Sequence, residues 1–400
     1  MEKKSEKKRI CILTATRAEY GLLRPVILKL RQTGIFDVRL AVTGMHLSPE
    51  FGLTYQEIEA DGIAIDKKIE MLLSADTPSA ISKSMGLALI GFADYFEELK
   101  PDLLIVLGDR YETLAVAEAA MNARIPIAHL YGGDVTEGAV DDAVRHALTK
   151  MSYLHFVATP AHRQRVIQMG ESPDRVFYVG AMSVENAKQI KLLAKEELKR
   201  QIGFDWGNSR LAVVTFHPVT LEENTAKGQC AQLLNALDQI DHLKIIFTKA
   251  NSDADGRIIN RMLDDYAAEH KEKSRVFTSL GQLRYLSAIA AADVVVGNSS
   301  SGLSEVPAFH VPTVNIGDRQ RGREAGATVI SCKTETEEIA RAIKKALSEE
   351  FKSEVRCARN PYEKEGSSDA IVEKICEFMK ENQIALKKSF YSEHCGADRI

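Results

Sequence analysis

One stretch of this chain gathers small polar residues where a core would not want them: GNSSSGLSEV, residues 297–306, directly behind the apolar run ADVVV. A strand that breaks into glycine, asparagine and three serines frees backbone N–H groups, and Ser299, Ser300 and Ser301 add hydroxyl donors. Donors converging on one point suit an anion such as phosphate. An ordinary serine cap of a helix accounts for the same residues. The lysine and spacing of a Walker loop are missing. Glu305 would repel a phosphate, so it must reach towards a donor, and a ribose diol provides two. Phosphate beside ribose points to a nucleotide. Magnitudes show that this loop is insufficient alone. Helix-end charge effects are worth ~0.3–1 kcal/mol, and micromolar binding needs about 8 kcal/mol. Cations must therefore converge from elsewhere. Arg17 in TRAEYG, Arg110 in GDRYE, and Arg319 with Arg323 in GDRQRGR all follow apolar runs. For each one a surface ion pair is the simpler account; together they fit a diphosphate.

Groups able to move protons occupy similar places. Asp109 ends an apolar run, and His217 ends another just before a proline. Asp134, Glu137, Asp141 and Asp142 lie close together in GGDVTEGAVDD. Asp141 and Asp142 also suit the N-terminus of a helix on charge grounds alone. The segment SDADGR begins like a calcium loop, but Arg257 stands where an oxygen ligand belongs and the closing glutamate is absent. No histidine pair has metal-ligand spacing. The expectation is a site without metal or cofactor, its negative charge balanced by arginine and histidine.

The elements that must hold these residues are legible in the hydropathy. Two series of short Val/Ile/Leu-rich runs alternate with longer helical patterns. The first runs from RICILTAT to RVFYVG, the second from LAVVTFHP to ATVISC. Runs apolar on both faces imply parallel strands covered by helices on two sides. The fold class is α/β, with two doubly wound, Rossmann-like domains. The boundaries read as residues 1–185, 186–380 and a loosely held tail 381–400. The charged stretch NAKQIKLLAKEELKRQIG reads as a solvated helix and linker, and SSDAIVEKICEFMKENQ as a closing helix. Ligands bind at the carboxyl ends of strands in such sheets, so two facing sets of loops frame one central cleft between the domains.

Bulk properties narrow the partners. The 400 residues carry a formal net charge of −4, which invites neither nucleic acid nor an acidic membrane. No apolar run reaches the ~20 residues of a membrane helix. The basic start MEKKSEKKR lacks a cleavage-type segment, so a frayed terminus is expected rather than a signal peptide. Six cysteines without a C-x-x-C pair fit a reduced, cytoplasmic setting.

TATRAEYGLLRPV, VTGMHLSPEFG, LGDRYETLAVA, DDAVRHALTKMSYLHF, FHPVT, GNSSSGLSEVPAF and NIGDRQRGR together resemble the hydrolysing UDP-N-acetylglucosamine 2-epimerases of sialic-acid and legionaminic-acid synthesis, over roughly residues 9–380. The resemblance implies a GT-B fold, a UDP-sugar substrate, release of UDP and a free C2-epimerised sugar, and a homo-oligomer (dimer or tetramer). It places Arg17, Arg110, Asn251, Ser299, Ser300, Glu305 and Arg319 on nucleotide contacts, and Asp109, Asp141 and His217 on catalytic positions. The chain departs from the pattern at Tyr131, where relatives often carry a glutamate; Asp134 or Glu137 would then take over, or that acid is dispensable. The wording GGDVTEGA is similar to enzymes acting on UDP-2,4-diacetamido-2,4,6-trideoxyglucose. A non-hydrolysing epimerase, a GT-B glycosyltransferase and a nucleotide-sugar sensor are the competing readings.

Overall fold

The computed structural model describes residues 7–75, 77–251, 253, 255–380 and 386–392. Among these residues thirteen strands form two all-parallel sheets. The first contains β1 (Arg9–Thr14), β2 (Asp37–Thr43), β3 (Lys67–Ile69), β4 (Leu103–Leu107), β5 (Ile127–Leu130), β6 (Leu154–Val157) and β7 (Val176–Tyr178), in the order β3-β2-β1-β4-β5-β6-β7. The second contains β8 (Arg210–Thr215), β9 (Leu243–Thr248), β10 (Ser274–Phe277), β11 (Val294–Gly297), β12 (Thr313–Ile316) and β13 (Val329–Cys332), in the order β10-β9-β8-β11-β12-β13. Every pair of neighbours is parallel.

Each sheet has an apolar cluster on both faces. Ile10, Ile12 and Leu103 pack against the helix Arg17–Gln32 on one face of the first sheet, and Leu104 and Val106 meet Phe92 and Phe96 on the other. Val214 and Phe247, and Val213 with the fully buried Trp206, divide the second sheet in the same way. That is why the strand sequences show no alternation. Strand order reverses between β1 and β4 in one sheet and between β8 and β11 in the other, and these reversals are where open α/β sheets receive ligands.

Three elements differ from the sequence-based expectation. β3, Lys-Lys-Ile, is too short and charged to announce itself. The charged stretch after Gly180 forms two helices, Met182–Gln189 and Lys195–Ile202, rather than one helix and a linker. The closing helix, Ser367–Lys380, leaves the second lobe and packs on the first. Its Ile371, Ile375, Phe378 and Met379 join the cluster under β1, and the Glu185 carboxylate accepts from the Ser368 N–H and hydroxyl at 2.8 and 3.0 Å. The tail expected to be loosely held is tied to the first lobe where it is described: Lys388 donates to Glu171 at 2.9 Å and to the Ser152 carbonyl at 2.7 Å, and the Tyr391 N–H to the Gly170 carbonyl at 2.8 Å; 381–385 and 393–400 lie outside the described residues, as does Cys395. The five described cysteines are free thiols. Among the described residues no helix is long and apolar enough to cross a membrane.

Candidate active site

The two strand-order reversals face each other across a cavity of about 380 Å³. From the first sheet come Arg17 after β1 and Asp109 with Arg110 after β4. From the second come His217 after β8, Asn251 after β9, Ser299 and Ser300 after β11, and Arg319 after β12. Asp134, Asp141 and Glu305 complete the set, and these eleven residues line one cavity together with Ser301 and Arg323, whereas Glu137 and Asp142 do not line it. The two rims touch. Arg257 holds Glu50 across the cleft with bonds of 3.0 and 2.7 Å, Arg110 reaches Asp253 at 3.5 Å, and the Glu137 N–H donates to the Arg321 carbonyl at 2.9 Å.

Local structure sets the cations. Thr16 and Glu19 form a capping box: the Thr16 hydroxyl accepts from the Glu19 N–H at 3.3 Å, and the Glu19 carboxylate accepts from the N–H groups of Ala15 and Thr16. The box fixes Arg17 as the first helical residue, half-buried with its guanidinium near Glu57, Tyr285 and Glu305. Arg110 is anchored to Glu112 at 2.9 Å, and Arg319 donates to the Asn298 carbonyl at 3.2 Å.

The serine loop is built differently from the expected strand–loop–helix. The helix after it, Ser301–Ser304, is a single turn, because Pro307 ends regular hydrogen bonding and the chain continues as a 3₁₀ turn. A macrodipole therefore contributes little, and individual donors must do the binding. Gly297 makes the turn feasible: its φ is +141°, and a Cβ there would lie 1.9 Å from the Thr215 carbonyl oxygen on β8. The Ser301 hydroxyl is engaged inside the loop, donating to Glu305 at 2.6 Å and accepting from Tyr285 at 2.9 Å. The Ser299 and Ser300 hydroxyls form no hydrogen bond among the described residues, so the turn is open to a ligand.

Two buried residues that carried no sequence signal organise the chemistry. Asn298, 1 % exposed, clamps the His217 backbone from both sides: its side-chain oxygen accepts from the His217 N–H at 2.7 Å, and its amide donates to the His217 carbonyl at 2.8 Å. Arg145, 1 % exposed, donates to Asp109 at 2.7 Å, to Asp142 at 3.2 Å and to the Thr136 hydroxyl at 2.8 Å. Both act on residues far away in sequence, which no local pattern reports.

The charges sort the acids. Burial raises the Asp109 pKa, but Arg145 and Arg323 outweigh it and hold the carboxyl below its ordinary range. Asp141 opens the helix Asp141–Met151, where burial and the nearby Asp109 charge push it up to about 6. Asp134 is bound by Arg323 at 3.0 Å and His162 at 3.3 Å; these partners override its burial and lower its pKa. Glu137, the other acid weighed as a substitute for the glutamate absent at Tyr131, points away. It pairs with Arg321 at 3.0 Å, is 55 % exposed, and lies outside the cavity. Burial, with Arg319 next, lowers His217 to about 3. His217 is thus a neutral hydrogen-bond donor at pH 7, and a bound diphosphate would favour its protonation.

The family model described as UDP-N-acetylglucosamine 2-epimerase matches residues 28–376. A GDP/UDP-N,N'-diacetylbacillosamine 2-epimerase (hydrolyzing) of Campylobacter jejuni is 42 % identical over 86 % of this chain and 89 % of its own. Polysialic acid biosynthesis protein P7 of Escherichia coli is 38 % identical over 97 % of this chain and 98 % of its own. Among solved structures, a UDP-GlcNAc 2-epimerase of Neisseria meningitidis bound to UDP-GlcNAc superposes with a TM-score of 0.76 at 20 % identity, covering 92 % of this chain and 100 % of that one.

Proposed function

The chain belongs to the UDP-N-acetylglucosamine 2-epimerase family, and on that premise we propose that it is a hydrolysing 2-epimerase. It converts a UDP-linked 2-acetamido sugar and water to UDP and the free sugar inverted at C2. The observation that carries this reading is geometric: Asp109 and Asp141 from the first lobe line one cavity with Ser299, Ser300, Arg319 and His217 from the second, and the Arg145 guanidinium favours the ionised Asp109 while the Asp109 charge favours the protonated Asp141. Acids driven apart in this way divide into a base and an acid.

A sugar C2–H is far too weak an acid for a carboxylate of ordinary pKa ~4, so the order of bond changes must help. The C1–O bond to UDP breaks first, its electron pair leaving on the diphosphate. Ser299, Ser300, Arg17, Arg110 and Arg319 meet the charge that develops there, with His217 donating to the departing oxygen. Positive charge at C1 acidifies the C2 proton, which Asp109 takes as the C1=C2 double bond forms. Water then adds its oxygen to C1 and releases a proton, while Asp141 delivers hydrogen to C2 from the opposite face. UDP, a proton and the inverted sugar leave. Glu305 and Asn251 hold the nucleoside. Contact between the rims keeps bulk water from the first step.

Relatives named for N,N'-diacetylbacillosamine and for polysialic acid synthesis favour a diacetamido or acetamido sugar feeding nonulosonic acid synthesis. An NMR time course with UDP-GlcNAc, and separately with UDP-2,4-diacetamido-2,4,6-trideoxyglucose, tests the proposal. Free epimerised sugar plus UDP is expected. An equilibrium mixture of UDP-sugars would make the enzyme non-hydrolysing, and no turnover without an acceptor would make it a transferase.

A further inference from the structure

The stretch 134–140 leads from β5 into Asp141, and two loops of the second lobe grip it. One follows β12 and carries Arg319; the other follows β8 and carries His217. Against the first, the Glu137 N–H donates to the Arg321 carbonyl at 2.9 Å, and Arg323 reaches Asp134 at 3.0 Å. Against the second, the Val140 N–H donates to the Thr220 hydroxyl at 3.0 Å. Val140 directly precedes Asp141 and occupies the N-cap of its helix. The chain entering the acid is thus held by the same two loops that bring His217 and Arg319 to the cavity.

A glycine on each side lets the surfaces meet. A Cβ on Gly138 would lie 2.6 Å from the Asp318 carbonyl oxygen and 3.0 Å from the Arg319 Cα. A Cβ on Gly322, where φ is +91°, would lie 2.6 Å from the Val135 side chain. Ordinary contacts between carbon atoms stand at ~3.5–4.0 Å, so neither position has room for a side chain. Asp109 is held differently. Its anchor, Arg145, belongs to the first lobe and also bonds Thr136 and Asp142, and the Thr136 N–H donates to the Asp142 carboxylate at 2.7 Å. The stretch is therefore tied through Arg145 to one acid, and through the second lobe it fixes the approach to the other.

We propose that Thr220 and Gly138 are positioning residues: the seam they form ties the loops of His217 and Arg319 to Asp141, so that the leaving-group donors and the acid that delivers hydrogen to C2 take their places together. The inference rests on the epimerase reading, which gives Asp141 that step. Thr220→Val keeps the shape and removes the acceptor. The bond lies at an exposed point, so water can replace it and the fold should survive. Formation of epimerised sugar should fall about tenfold, the worth of one hydrogen bond, with the dissociation constant of UDP unchanged. Gly138→Ala must open the seam by about 1 Å, and a displacement of that size can cost about 100-fold. The deciding readout is the product ratio, followed by NMR on the full chain with thermal melts as the check on folding. The parent should release UDP and epimerised sugar in equal amounts. Both variants, like Asp141→Asn, should release excess UDP, the balance being the sugar with a C1=C2 double bond, because elimination uses Asp109 and only the later step uses Asp141. Equal release from both variants, at the parent's rate or a slower one, overturns the seam. Equal release from Asp141→Asn as well removes the acid from its step and the seam's role with it. A parent that frees no epimerised sugar refutes the epimerase reading itself.

Discussion

Asp109 and Asp141 share a half-buried setting at the cavity and differ in their partners. Arg145 keeps the first ionised; the second meets the charge of its neighbour without an ion pair of its own among the described residues. Two predictions follow from that asymmetry. Asp109→Asn should retain UDP binding and lose turnover by about 10²–10⁴, the usual worth of a positioned acid–base group; a wild-type-like rate would remove Asp109 from the mechanism. Asp141→Asn should also lose turnover, yet melt higher than the parent near pH 7. The folded-state pKa, about 6, lies above the ordinary 3.8, so folding favours the protonated carboxyl. That contribution is present below pH ~4 and disappears as pH rises through 6. The advantage of the asparagine should accordingly be absent at pH 4 and reach up to about 3 kcal/mol at pH 7, a trend that thermal melts across this range will reveal or refute. On the cationic side, Arg319→Ala should weaken UDP by roughly 1.5–3 kcal/mol; an unchanged dissociation constant would show that the arginine serves only the Asn298 carbonyl. Asp109 and the arginines were legible in the sequence because each stands just after an apolar run; Asp141, at the start of a helix, was marked only by the family resemblance. Arg145 and Asn298 were not, since a salt bridge 36 residues long and a backbone clamp 81 residues long leave no local trace.

At the scale of elements, all six strands of the second sheet and six of the seven in the first could be read from apolar runs, because burial on both faces removes polar residues from them. β3 could not, being three residues at a sheet edge with two lysines. The serine loop shows the limit of the same reasoning. Its donors were evident, but the helix expected behind them stops after one turn at Pro307. What shapes the loop is the close approach of β11 to β8, where Gly297 pairs with Thr215. Gly297→Ala would bring a methyl against the Thr215 carbonyl oxygen, and backbone on both sides cannot swing away as a side chain would. The strands must separate, at a cost of at least about 1–3 kcal/mol, and the Asn298 clamp on His217 separates with them. The expected outcome is a lower melting temperature together with loss of UDP binding. A variant that melts lower but binds UDP normally would show that the loop forms without the tight strand contact.

For the whole molecule, the question is which residues unfold together. A division at 185/186 follows the rhythm of strands and helices, and that rhythm has no means of telling which lobe a terminal amphipathic helix will choose. The helix Ser367–Lys380 supplies four apolar side chains to the first lobe, and Lys29 meets Ser368 at 2.8 Å. We therefore take the described residues from 7 to 185 together with 367–380 as one cooperative unit, with the second lobe inserted between them. Ile375 is fully buried in that shared core, and Ile375→Ala should cost about 2–5 kcal/mol. In hydrogen exchange the loss of protection should appear in β1 and the helix Arg17–Gln32, while β8, β9 and β11 keep theirs, since the main apolar clusters of the two lobes are separate and only a small cluster around Ala181 and Tyr362 joins them beside the polar contacts across the cleft. Were the second lobe to lose protection to the same degree, the two halves would form a single folding unit, and the ties across the cleft would have to be counted as part of the core.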